Sequence, residues 1–368
     1  MTYVLLYYIM EFMKKKRNFL ISLCISLSLV YIILAARPLE HELQFSPQWT
    51  IDATKATVKA TTENLEQKYE NAIPFKLGQT LGYFTRDGDI LNIVTFPYKA
   101  ALSENAYALY GTNDKKIPFF RPDGTKIGEF AYTGFPFFMG ESKYLFLPGG
   151  SSFAKMSAEG ELLWTFENYA PITAFSSSPA GCVAGYSDGS IISFTNTGAV
   201  DQKFTPGGSE FPIVLGAALS SSGNLIACIT GQNEQRFIIA KKSGTHTEII
   251  HHEYLEKETT RQKLVKFSSD ESTVYFDSAD GLGIVDCRTG KNRKIKTLGH
   301  IISIQEASNS MFVLSRNKNL YTVLVVEPFA TAAGSFSFEA NTAFIAVQDD
   351  NLFIGRDNTI SKIKIQDK

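Results

Sequence analysis

Pro171-Ile-Thr-Ala-Phe-Ser-Ser-Ser178, Gly181-Cys-Val-Ala-Gly-Tyr-Ser187, Asp188-Gly189, Ser190-Ile-Ile-Ser-Phe194, Thr197-Gly198 and Val200-Asp-Gln-Lys-Phe204 together decide the fold. The four apolar runs are too short for helices, rich in β-branched and aromatic residues, and separated by turn residues, so they read as strands. Gly189 and Gly198 supply the positive φ that a tight hairpin loop requires at little steric cost. Four strands joined by successive hairpins form one blade of a β-propeller.

The same pattern returns on both sides. Residues 99–130 carry Pro122-Asp123-Gly124, 135–166 carry Ala158-Glu159-Gly160, and 212–250 carry Ser243-Gly244. Residues 263–298 carry Ala279-Asp280-Gly281 and Arg288-Thr289-Gly290, and 301–338 keep the strand lengths with weaker turn residues. A period of about 36 to 48 residues is the signature of a repeat architecture. The last stretch, 342–366, holds only three strands, and Ile90-Leu-Asn-Ile-Val-Thr-Phe96 after Asp87-Gly88 is the expected donor of the fourth. That arrangement joins the chain ends in one sheet and removes exposed edges. The expectation is an all-β fold: a propeller of about seven four-stranded blades over 76–368, with six or eight as the alternatives because a weak repeat is easily misread.

Met156-Ser-Ala-Glu-Gly-Glu-Leu-Leu-Trp-Thr-Phe166 resembles the repeat of quinoprotein-type propellers, in which a small-polar-Gly turn precedes a Trp-bearing strand. Phe119-Phe-Arg-Pro-Asp-Gly-Thr-Lys-Ile-Gly-Glu-Phe130 is a degenerate copy. Phe175-Ser-Ser-Ser178, Leu219-Ser-Ser-Ser-Gly-Asn224 and Phe267-Ser-Ser-Asp-Glu271 resemble the strand-and-turn pattern of WD-repeat-like propellers. The chain departs from both: Trp164 alone occupies the repeat Trp position, Trp49 lies before the expected propeller, and no Trp-Asp strand ending occurs. Quinone-cofactor enzymes of this fold imply a calcium site and a stacking Trp. No such set is placed here, so no cofactor is expected. In fold and compartment the chain is similar to the periplasmic propeller of the outer-membrane assembly machinery, a resemblance that implies a non-enzymatic scaffold.

Ahead of the repeats, Lys14, Lys15, Lys16 and Arg17 precede Phe19 through Ala36, an uncharged run ending at Arg37-Pro38. At ~1.5 Å per residue that run spans about 27 Å, which predicts one N-terminal transmembrane helix acting as a signal anchor. Cleavage after Ala35 or Ala36 is the alternative; lipidation at Cys24 is disfavoured by Leu23 before it. The expected layout is 1–18 cytoplasmic, with Met13 as a candidate start; 19–36 in a bacterial inner membrane; 37–75 a stalk; and the propeller in the periplasm. Partners are then the membrane, through that helix, and other cell-envelope proteins.

Composition narrows the function classes. Hydrophobic residues make up 44 % and aromatic residues 12 %, with 27 glycines, which suits many short strands and excludes a disordered chain. With 36 basic against 37 acidic residues there is no broad attraction for nucleic acid. Cys24, Cys182, Cys228 and Cys287 show no metal-ligand spacing; Cys182 and Cys228 fall at matching places in successive repeats, as small buried hydrophobes. No catalytic residue is assigned. The weak metal candidates are His251, His252 and Glu253, although neighbours on a strand point to opposite faces, which argues for an exposed interblade segment. The turn acids Asp87, Asp123, Asp188 and Asp280 would form a ligand-binding crown only if turn chemistry did not occupy them. Phe135-Pro-Phe-Phe-Met139 and Tyr144-Leu-Phe-Leu-Pro148 hold more aromatics than alternation needs, as blade packing or as a docking patch. The functional expectation is an interaction scaffold, with a small-ligand or metal-binding receptor or enzyme using the central channel as the alternative.

Overall fold

A computed structural model describes residues 2–35, 43–55, 72–244, 246–307, 310–327 and 331–367. The chain forms two units, an N-terminal one and a propeller spanning residues 44–366.

The N-terminal unit is one helix, Thr2–Ala35. Its described side chains run from Met13 to Tyr31. The cluster Lys14 to Arg17 lies inside the helix, with apolar residues on both sides of it. Among the described residues no helix is long and apolar enough to cross a membrane, which overturns the expected transmembrane anchor from Phe19 to Ala36.

The propeller has eight blades, not seven. Blade 4 shows how sequence becomes structure. Its strands Ile172–Ser178, Gly181–Tyr186, Ile191–Thr195 and Val200–Phe204 pair antiparallel in chain order, with Cys182 opposite Phe194. The second strand is buried along its whole length, which accounts for its unbroken small and apolar run. Gly189 and Gly198 take φ of 83° and 87°, and their amides close the turns onto the Tyr186 and Thr195 carbonyls. Blades 2, 3, 5, 6 and 7 repeat this order over 99–130, 135–167, 211–254, 265–296 and 300–339.

The eighth blade comes from the region where one shared blade was expected. Ile90–Thr95 does not complete the last sheet; it pairs with Thr80–Phe84, which pairs with Ile73–Leu77, and these three strands are blade 1 as described. Short turns at Gly78-Gln79 and at residues 85–89 make those pairings local, and local pairing has little loop-closure entropy to overcome. The last sheet, Ala343–Gln348, Asn351–Arg356 and Thr359–Asp367, is closed by Leu43–Asp52, from the segment expected to be a stalk. The Thr50 and Ser361 hydroxyls lie 2.9 Å apart, and the Ala53 amide donates to the Asn358 carbonyl at 2.7 Å. Residues 37–42 and 56–71 of the expected stalk lie outside the described residues.

The core is a succession of apolar layers between neighbouring blades. Between blades 3 and 4, Tyr144, Phe153, Phe175 and Phe194 meet Trp164 and Phe166, with ring centroids 4.5–6.5 Å apart. Most of the aromatic surplus read at 135–148 is therefore packing.

Candidate functional site

In the four-stranded blades each outer strand ends on the face where the next inner strand begins. The connections that lead into the inner strands of blades 2 to 8 therefore share one face. On it, Tyr98, Tyr132, Tyr169, Phe211, Tyr254 and Leu298 sit at the six successive junctions from blade 1 through blade 7, and every one is exposed. Tyr98 is 77 % exposed and the least exposed of them, Tyr132, is 44 %. A large apolar side chain left in solvent within or beside six successive connections is a patterned surface, unlike the scattered exposed residues any protein carries.

The connection from blade 5 to blade 6 anchors this face. The Glu258 carboxylate accepts from the Asn233 and Gln235 amides at 3.0 and 3.1 Å, and Gln235 Nε2 donates to the Thr259 carbonyl. Gln262 Nε2 reaches the Thr173 carbonyl on the inner strand of blade 4 at 2.8 Å. Arg261 pairs with Asp277 at 2.9 Å, while Lys263, fully buried, lies 3.9 Å from the same carboxylate. Desolvation raises the Asp277 pKa and lowers that of Lys263, so burial disfavours both charges and their mutual attraction holds them. The charged stretch from Leu255 to Arg261 is thus a fixed strap. Nearby, the Arg236 guanidinium packs over the Tyr254 ring at 5.8 Å.

The sequence candidates divide differently. His251, His252 and Glu253 lie on the outer strand His246–Tyr254 of blade 5. His251 Nε2 is 3.9 Å from Glu253, which also accepts from Asn292 of blade 6, so this pair faces the next blade. His252 points away and meets Tyr254 edge-on. Burial lowers the His251 pKa. Among the described residues no group of three His, Cys, Asp or Glu is placed to hold a metal.

The turn acids do not converge either. Asp123 binds the amide and hydroxyl of Thr125, Asp188 those of Ser190, and Asp280 the Ser278 hydroxyl. Asp123 lies in a turn between third and fourth strands, Asp188 and Asp280 in turns between second and third, so they occupy opposite faces. Cys182 and Cys228 lie on the second strands of blades 4 and 5, buried and unbonded, with burial pushing both thiols up to about 12. The exposed ring was missed because a lone Tyr in a short connection looks like any loop residue. Its signal was the recurrence of a large apolar side chain at or beside six successive junctions.

A likeness to known proteins follows this architecture. The chain is 30 % identical over 358 residues to an uncharacterized protein of Treponema pallidum (strain Nichols), covering 96 % of this chain and 95 % of that one. BamB from Moraxella catarrhalis superposes with a TM-score of 0.54 at 10 % identity, over 87 % of this chain and 100 % of that chain. Sqt1 of Saccharomyces cerevisiae superposes with a TM-score of 0.58 at 10 % identity, over 80 % and 92 %. At such identities the two structures share the fold alone. A family model described as beta-propeller protein matches residues 10–368, and the chain belongs to that family.

Proposed function

We propose that this propeller is a protein-interaction module that docks its partner on the face bearing the interblade connections. The observation that carries the reading is the ring of Tyr98, Tyr132, Tyr169, Phe211, Tyr254 and Leu298. Tyr is enriched in the residues that dominate binding energy, because it offers a large amphipathic surface with few torsions to immobilise. The strap from 255 to 263, tied to blades 4, 5 and 6, supports the same reading, since a pre-ordered surface loses little entropy on binding. The proposal extends to partners in the cell envelope, outside the cytoplasm. Basic residues 14–17 ahead of an uncharged helical stretch are what an exported chain carries at its cytoplasmic end.

The test is site-specific photocrosslinking in cells. Probes at Tyr98, Tyr169 and Leu298 are expected to capture one common partner, and probes at Glu159 and Thr197, in turns of the opposite face, are not. Y98S/Y169S/L298S should reduce partner recovery at least ten-fold with unchanged melting. Equal capture from both faces, or recovery unaffected by the triple variant, sinks the reading. Protease added outside spheroplasts should cut the propeller; protection of the propeller there would move it to the cytoplasm.

A further inference from the structure

We propose that Arg236 is the binding site for a carboxylate that the partner brings to the connection face; the proposal rests on that face being the docking surface. Arg236 opens the third strand of blade 5, Arg236–Ser243. It is only 9 % exposed, and its guanidinium Nε and Nη2 are shielded from solvent without a hydrogen-bond partner. Among the described residues no carboxylate forms an ion pair with it. An arginine stays protonated throughout the physiological range, so this is a buried charge whose counter-ion the chain does not supply. Burying an unpaired cation is costly, and a ligand of opposite sign offsets that cost. The neighbouring carboxylates are committed elsewhere or face solvent. Glu258 accepts from the Asn233 and Gln235 amides, Glu253 accepts from Asn292 of blade 6, and Glu210 and Glu234 are exposed.

The surroundings specify the ligand. Gly208, at φ 76°, lies against the guanidinium, and a Cβ there would sit 2.6 Å from Cζ, Nη1 and Nη2. A side chain at 208 would therefore obstruct the fork, while a Cβ on Gly207 beside it would meet nothing within 4 Å. Nη1 is the guanidinium nitrogen outside the shielded set, so an incoming carboxylate meets it first and then Nη2 beside it. Across blade 5 the strand ends on the connection face carry Phe211, then Arg236, then Tyr254, with Arg236 registered between Thr230 and Tyr254. Both flanking aromatics are at least half exposed, and the Tyr254 ring lies 5.8 Å from Cζ. An arginine flanked by aromatics is the composition that dominates protein interfaces: the planar fork matches a carboxylate through two N–H bonds, and the rings exclude water around them. The turn before Arg236 is fixed as well. Asn233 and Glu234 hold left-handed φ of 58° and 60°, and the Glu258 clamp on that turn sets where the strand begins. The partner chemistry that fits is an exposed Asp or Glu beside apolar residues.

Arg236→Met tests this in the full chain, with photocrosslinking probes at Tyr98 and Leu298, neither of which lies on blade 5. The wild type should capture the partner, and R236M should capture at least ten-fold less. The melting temperature of R236M should stay level or rise, because removing an uncompensated charge breaks no pair. In Arg236→Lys, a water-soluble carbodiimide should form an amide between the amine at position 236 and an Asp or Glu of the captured partner. Capture retained in R236M overturns this proposal and leaves the docking reading standing, whereas no capture by the wild type removes both. A melting temperature lowered by several degrees in R236M overturns it, as does an amide at position 236 that is absent or joins only Glu210 or Glu234 of this chain. If millimolar inorganic phosphate raises the melting temperature of the wild type but not of R236M, while R236M still captures the partner, the site serves a soluble anion and the proposal falls.

Discussion

Two blade junctions carry the same contact on differently built strands. Between blades 3 and 4, Trp164 packs against Gly198; between blades 8 and 1, Trp49 packs against Gly88. Both glycines sit in turns with positive φ, 87° and 91°. The Trp164 strand, Leu162–Glu167, pairs with Ser152–Met156, its immediate predecessor. The Trp49 strand pairs with Thr359–Asp367, more than 300 residues later. The polar seals differ too: Trp164 Nε1 donates to the Asn196 carbonyl, two residues before its glycine, whereas the matching carbonyl of Arg86 accepts from Lys362 of blade 8. The comparison teaches that the closing seam is packed by the same Trp-on-glycine contact as a seam between blades built from contiguous chain.

The most severe way to break this comparison is to remove residues 43–52. That strips Trp49 and Ile51 from the core beside Phe84 and Phe353 and opens the ring, with an expected loss of about 5 kcal/mol or more and a broadened calorimetric transition. A cost within about 1 kcal/mol would show that closure is dispensable. Asp277→Ala gives a benchmark at a junction built from contiguous blades. It leaves Lys263 buried without its carboxylate, so denaturant titration should show a loss of about 3–5 kcal/mol. Next, Trp49→Ala and Trp164→Ala should each cost about 2–3 kcal/mol, below the value for fully buried aromatics because both rings are half-exposed. If closure by blade 8 comes last, W49A speeds unfolding and leaves refolding unchanged.

Gly198→Ala and Gly88→Ala resolve the pair more finely. Each imposes a left-handed conformation on a residue with a Cβ, about 1–2 kcal/mol. At Gly198 the new Cβ would also lie 2.7 Å from the Trp164 ring, against 3.2 Å from Trp49 at Gly88, so G198A should be the worse by urea midpoint. The smallest expected effect is a pH dependence. Burial holds the His251 and His300 pKa values below the ordinary 6.5, so the folded state favours neutral imidazole. Their contribution is complete above about pH 6.5 and is lost progressively as pH falls below it, through the lowered folded-state values. Midpoints measured at pH 7.5 and 5.5 should therefore differ, and H251Q/H300Q should narrow the difference.

Much of the propeller was legible because its turns write themselves into the sequence: Asp188-Gly189 and Thr197-Gly198 mark blade 4 residue by residue. What encodes the closure is harder to read. Trp49-Thr-Ile51 echoes Trp164-Thr-Phe166, but no turn links it to its sheet partner, and the Ala, Thr, Lys and Glu that follow disguise it as a spacer. Ile90–Thr95 was misassigned for the complementary reason, since a strand's sequence does not say which sheet it joins. The candidate face was illegible for a third reason. Exposure of Tyr98 or Tyr169 belongs to the assembled ring, and a sequence lists a docking tyrosine and a core tyrosine alike; Tyr144 and Tyr186 are wholly buried.

The bonds at Thr50–Ser361 and Ala53–Asn358 fix an antiparallel register, in which the first residues of the closing strand lie beside the last residues of the blade it completes. The seal therefore has a direction under load. Tension drawn between residues 43 and 367 would part the strand one backbone bond at a time, like a zipper opened from its end. A pull on residue 43 against the body of the ring would instead stress all of those bonds in shear, so the same closure is mechanically weak along one axis and strong along another.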